Sequence, residues 1–109
     1  MRRWLGGNGK MLLITGSFRI PSAAMERALP IMARMIAASR GEDGCLHYGY
    51  ACDVIDPELI AVTELWRDQA ALDRHFDTVH LAEWRAAWAT LGIADRNLVA
   101  YEVGAPRAT

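Results

Sequence analysis

Two histidines and a carboxylate carry most of the acid–base chemistry available to this sequence: His75, His80 five positions later, and Glu64 in the run LIAVTELWR. An imidazole titrates near neutral pH, which is what a general base needs. His75 lies one helical step from Leu72 and beside Phe76, so a satisfied core histidine is its plain reading; His80 follows Thr78 in the first turn of another helix. A five-residue step across a helix break is not the i, i+4 spacing of a zinc helix. The third histidine, His47, falls on the other strand face from Tyr48 and is expected to meet a partner subunit. Cys45 and Cys52, seven apart in one extended segment, should point to opposite faces, so neither a disulfide nor a metal site is expected. Glu64 and Trp66 alternate onto one strand face with Ile60 and Val62, which puts a carboxylate in an apolar row. A buried carboxylate needs a partner. Either it is hydrogen-bonded structurally, to His75, Arg96 or a backbone amide, or it orients a histidine or a substrate hydroxyl. Trp66 can be core or the wall of a cavity, and Tyr48 and Tyr50 share one face of their strand.

Other chemistries lack their residues. No glycine-rich phosphate loop or nucleotide fingerprint occurs, so no dinucleotide or flavin is expected. Neither a Ser-His-Asp nor a Cys-His arrangement can be assembled, since both cysteines lie in strands with no base nearby in sequence. At 109 residues, 52% hydrophobic and 23% charged with 12 basic against 13 acidic side chains, the chain is sized and balanced for one globular domain. Such a balance draws it to neither nucleic acid nor membrane. No apolar run reaches the roughly 20 residues of a membrane helix, and the opening MRRWLGGNGK lacks the apolar stretch of a signal peptide, so a reduced, cytoplasmic setting is expected. Residues 1–10 read as a flexible arm, 11–104 as the domain and 105–109 as a loose tail.

The elements that must position these residues follow from periodicity. MLLITGSFRI alternates around Leu12, Ile14, Gly16, Phe18 and Ile20 and predicts a strand that stops at Pro21. Ser22 reads as a helix N-cap, and Met25, Leu29, Met32 and Ile36 as one face of a helix closed by Gly41, with Pro30 forcing a kink near Glu26 or a late start. GEDG is a turn. Residues 45–53 and 59–67 predict an antiparallel hairpin reversing at Asp56-Pro57; Asp68 and Thr78 cap two further helices, the second with a stripe of Leu81, Trp84, Trp88 and Leu91; residues 96–103 make a fourth strand. The order β-α-β-β-α-β is that of an α+β, ferredoxin-like domain, a four-stranded antiparallel sheet with its helices on one face. Its bare face would be a large apolar patch in a monomer, so a homodimer through the sheet face is expected.

On these elements, Glu42, Gly44-Cys45 and Tyr48, then Glu64-Leu65-Trp66, then His75 and the step to His80 resemble the antibiotic biosynthesis monooxygenase family of dimeric α+β barrels over about Met11 to Val103. The resemblance implies the fold more firmly than the reaction, since such relatives include cofactor-free oxygenases of quinols and polycyclic phenols, haem-degrading enzymes, isomerases of small phosphorylated ketones and members without known activity. The asparagine, tryptophan and histidine set of the haem-degrading branch is not matched. The expectation is a cofactor-independent monooxygenase acting with molecular oxygen on a small aromatic substrate. His75 or His80 would be the base, with Glu64 orienting it, and Trp66, Phe18, Trp84 and, by the resemblance, Tyr48 would hold the ring. Two alternatives stay open: a proton-transfer enzyme or isomerase for a small keto compound, which arginines such as Arg19, Arg67 or Arg96 reaching into the pocket would favour, and a non-catalytic ligand-binding or structural dimer.

Overall fold

The computed structural model describes residues 10–109, so the arm expected at the N-terminus lies, but for Lys10, outside the described residues. The chain runs β1 (Met11–Arg19), a 3-10 turn (Ser22–Ala24), α1 (Met25–Arg40), β2 (Cys45–Cys52), β3 (Leu59–Trp66), α2 (Gln69–Phe76), α3 (Val79–Leu91) and β4 (Ala94–Val103). All pairings are antiparallel and the strand order is β2-β3-β1-β4. This is the expected ferredoxin-like α+β arrangement. Leu12, Ile14 and Phe18 of β1, Tyr48 of β2, and Ile60, Val62 and Trp66 of β3 turn one sheet face toward the helices and form the core with Met32, Met35, Leu72, Leu81, Trp84 and Leu91. Residues 104–109 carry no regular structure and are exposed.

Local departures from the expected pattern have identifiable causes. Ser22 caps no helix: its N–H is taken by the Glu58 carboxylate at 2.6 Å, and α1 starts late, at Met25, running on through Pro30. The buried face of α1 is Ala28, Met32, Met35 and Ser39, whereas Leu29 is exposed. Two of these are small, and small side chains let a helix approach a sheet closely without registering as a hydrophobic stripe.

β2 begins with an irregularity: Cys45 pairs with Trp66 but His47 with Leu65, so the strand carries one extra residue. Cys45 and Cys52, opposite Trp66 and Ile60, therefore share the helix-facing side, contrary to simple alternation, and both are free thiols at opposite ends of the strand. β4 carries a second bulge, where Asp95 and Arg96 together stand opposite Phe18 and Asp95 takes φ 54°. No helix among the described residues is long and apolar enough to cross a membrane.

Candidate functional site

Between the sheet and the helix pair α2–α3 lies a cavity of about 260 Å³. Tyr48, Tyr50, Glu64 and Ile14 line it from the sheet, Leu72, His75 and Phe76 from α2, and Trp84, Arg85 and Trp88 from α3, with Arg96 at the β4 bulge. Arg96 shares this face of β4 with Leu98 and Ala100 by simple alternation. Of the residues expected to hold a ring, Tyr48 and Trp84 line the cavity. Trp66 and Phe18 stand behind its walls: Trp66 is fully buried, and the Phe18 ring packs edge-on to Tyr50 and Trp84.

His75 is placed by the breaks on either side of it. The Asp68 carboxylate accepts from Ala71 N–H at 2.9 Å and starts α2. At the other end, Thr78 donates its hydroxyl to the His75 carbonyl at 2.7 Å while its own Oγ1 accepts from Leu81 N–H, so one side chain closes α2 and opens α3. The His75 ring lies 2% exposed against Trp66, with centroids 4.6 Å apart, and near Tyr48 at 5.4 Å.

What touches the histidines is Glu42, not Glu64. Glu42 sits in the turn after α1, its N–H bonded to the Ser39 carbonyl and its own carbonyl to Cys45 N–H, both at 3.1 Å. Its Oε2 lies 2.7 Å from His75 Nδ1 and 2.7 Å from His80 Nε2. With Glu42 ionised, both of those nitrogens carry protons and donate. His75 is then the tautomer whose Nε2 lone pair is free, and that nitrogen makes no hydrogen bond to any described residue. His80 does not line the cavity; it reaches Glu42 from a separate hollow beside Arg34 and Glu83. The helix break thus folds the five-residue step back onto one carboxylate, and sequence spacing alone is no guide to what the pair can hold.

Glu64 is structural in the first instance: its Oε1 accepts from the Trp66 indole at 3.0 Å, a partner absent from the sequence-based candidates. Burial pushes its carboxyl pKa up, opposed by the Trp66 bond and by the nearby Arg96 charge. Burial likewise pushes the Tyr48 and Tyr50 phenols up, with Tyr48 far above the usual tyrosine range, so both serve the cavity as hydroxyls. Arg19 and Arg67 are spent elsewhere, in ion pairs with Asp56 at 2.9 Å and Asp43 at 3.2 Å. Arg96 and Arg85 instead lie over the Trp88 ring at 5.4 and 5.9 Å, beside the cavity they help to line.

The family follows from comparison. A model of the family described as antibiotic biosynthesis monooxygenase matches residues 11–87. This chain belongs to that family. The match takes in Glu42, Tyr48, Glu64, His75 and His80, and stops short of Trp88 and Arg96 in the cavity wall. A crystal structure from Deinococcus radiodurans, of a protein named as a candidate member, superposes with a TM-score of 0.82 at 23% identity, covering 90% of this chain and 97% of that one. A Nitrosomonas europaea protein named in the same way gives 0.80 at 20% identity, over 92% and 96%. At these identities the likeness shows the fold. A Pseudomonas aeruginosa protein is 28% identical with a TM-score of 0.76, over 89% and 96%. An uncharacterized Synechocystis protein is 29% identical over 73 residues, 67% of this chain, which spans half the length of that curated relative.

Proposed function

We propose that this family member is a cofactor-independent oxygenase of a quinol or similar electron-rich phenol, with His75 as the base. The observation that carries this reading is the dyad: Glu42 Oε2 holds His75 Nδ1 at 2.7 Å and leaves the other ring nitrogen of a cavity-lining histidine free to accept a proton. Deprotonation turns a phenol into a good electron donor to molecular oxygen, so the protein need supply only a base, hydrogen bonds and an enclosure that excludes water. Tyr48, Tyr50 and Glu64 offer those hydrogen bonds, and Trp84 and Trp88 give flat apolar walls. At about 260 Å³ the cavity lies just under the roughly 300 Å³ where typical ligand sites begin, a fit for one or two fused rings. The working unit in this proposal is a homodimer joined through the outer sheet face.

Oxygen uptake with a panel of naphthoquinols tests the reading. Turnover should fall by about 10²- to 10⁴-fold in His75→Ala, the usual loss on removing a general base, while binding of a ring-shaped inhibitor changes much less. His80→Ala, which removes only a second donor to Glu42, should cost less than His75→Ala. Equal turnover in wild type and folded His75→Ala would assign the base elsewhere, with Glu64 next in line. Arg85 and Arg96 beside the cavity support a second reading, proton transfer on a small anionic keto compound. That reaction would exchange a substrate carbon-bound proton with solvent and consume no oxygen.

A further inference from the structure

Glu42, His75 and His80 come from a turn and from two helices, yet their ligand-capable atoms, one carboxylate oxygen and two imidazole nitrogens, all lie within 4.8 Å of one another. We propose that this cluster binds a divalent transition ion of the zinc class. Two imidazoles and one carboxylate are a donor set that zinc sites use, at about 2.0–2.2 Å from the ion and with the remaining position left to water.

The geometry is close to what an ion needs. Both nitrogens stand 2.7 Å from the same Glu42 Oε2, whereas two atoms each about 2.1 Å from one tetrahedral ion stand roughly 3.4 Å apart, so small side-chain rotations open the space. Protons hold the three groups together in its place: two N–H bonds to one oxygen. An ion takes the place of both protons, which pass to the opposite ring nitrogens; it competes with any further protonation of the rings, so its binding weakens at acid pH. The surroundings suit it. His75 is 2% exposed and packed against the Trp66 and Tyr48 rings, which fixes its orientation, while His80, 22% exposed in its side chain, borders a hollow of about 220 Å³ through which an ion and its water can reach the cluster.

One consequence bears on the base proposed above. An ion on His75 Nδ1 moves the neutral ring's one proton to Nε2, so the ring can no longer accept one there. Ion binding and base function are then alternative states of a single cluster, although the binding itself does not depend on the oxygenase reading.

Protein freed of metal with a chelator is titrated with Zn²⁺ against a chromophoric competitor and, separately, with Co²⁺ while its visible spectrum is recorded. The expected result is one equivalent per chain and the intense visible bands of low-coordinate Co²⁺, with affinity weakened by at least about 10²-fold in His80→Ala and in Glu42→Gln, since even losing a group that merely supports a ligand costs 10- to 100-fold. His47→Ala, on the exposed face, should bind as wild type does. Far-ultraviolet circular dichroism establishes that each variant is folded, and Glu42→Gln supplies a second variant should His80→Ala fail to fold. No stoichiometric binding at 100-fold excess over about 1 µM, or binding that both variants retain, overturns the proposal; neither result touches the assignment of His75 as base.

Discussion

Glu64 is 5% exposed and has one hydrogen bond among the described residues, from the Trp66 indole, so its charge is poorly compensated and burial raises its pKa. The sign of the consequence is fixed. In the unfolded chain the carboxyl ionises at an ordinary value of about 4.3, and in the fold it ionises later. Below that ordinary value both states are protonated and no penalty exists; as pH rises through the folded value the native state loses stability, and above it the deficit is constant. Glu64→Gln keeps an oxygen for the indole and removes the charge. Its stability relative to wild type, from urea midpoints, should therefore improve between about pH 3.5 and pH 7, and a gap that stays constant across that range would mean the carboxylate is compensated after all. The same two carboxylates mark how far residues could be read from sequence. Glu64 stood out because strand alternation places it in an apolar row. Glu42 could be quoted as part of a family pattern, but its contacts could not be derived: a turn has no periodicity to aim a side chain, and its partners lie 33 and 38 positions along the chain.

The strands and the ends of α2 and α3 were legible because each has a local chemical cause: Asp68 and Thr78 accept from the third N–H beyond them, and Gly92 closes α3 at φ 77°; Ser22, read as a cap, is not one. The bulges were not, since a bulge is a relation between two strands and neither strand displays it alone. Yet the one in β2 turns Cys45 to the helix side. Gly44 is where local backbone and site geometry meet. It sits at φ 86°, and a Cβ there would stand 2.5 Å from the Ala71 Cβ in the first turn of α2. That contact sets how closely α2 approaches the turn carrying Glu42, and hence the reach of His75 to its carboxylate. Gly44→Ala combines a left-handed backbone cost of about 1–2 kcal/mol with this overlap. Thermal or urea unfolding should show a loss of at least about 2 kcal/mol, and the surviving folded fraction should lose turnover because α2 is displaced. A variant as stable and as active as wild type would mean that α2 is positioned by something other than this close approach.

Across its thinnest direction the chain measures 19 Å, the depth of one helix layer on one sheet. Nothing among the described residues covers the other sheet face, where the register aligns Leu13 with Leu65 and Tyr101, and Thr15 with Thr63 and Val99. Tyr101 and Val99 are 53% and 46% exposed on the β4 edge, beside half-buried Leu13 and Leu65. Edge strands with apolar side chains invite pairing or packing unless something blocks them. A second copy of the chain, placed sheet to sheet about a two-fold axis, would bury the same patch on both subunits and leave each cavity on its own helix side. We therefore expect a dimer by light scattering at micromolar concentration. Val99→Asp, on the exposed edge, should shift the molecule toward monomer while its circular dichroism stays native, because a charge at 46% exposure costs a lone chain little and a closed interface much. Leu13→Asp, at the centre of the same face, should split the dimer or unfold the chain. Wild type that scatters as a monomer, or a Val99→Asp variant that dimerises as tightly as wild type, would place the subunit contact away from this face and leave the apolar row along β1 and β4 without an occupant.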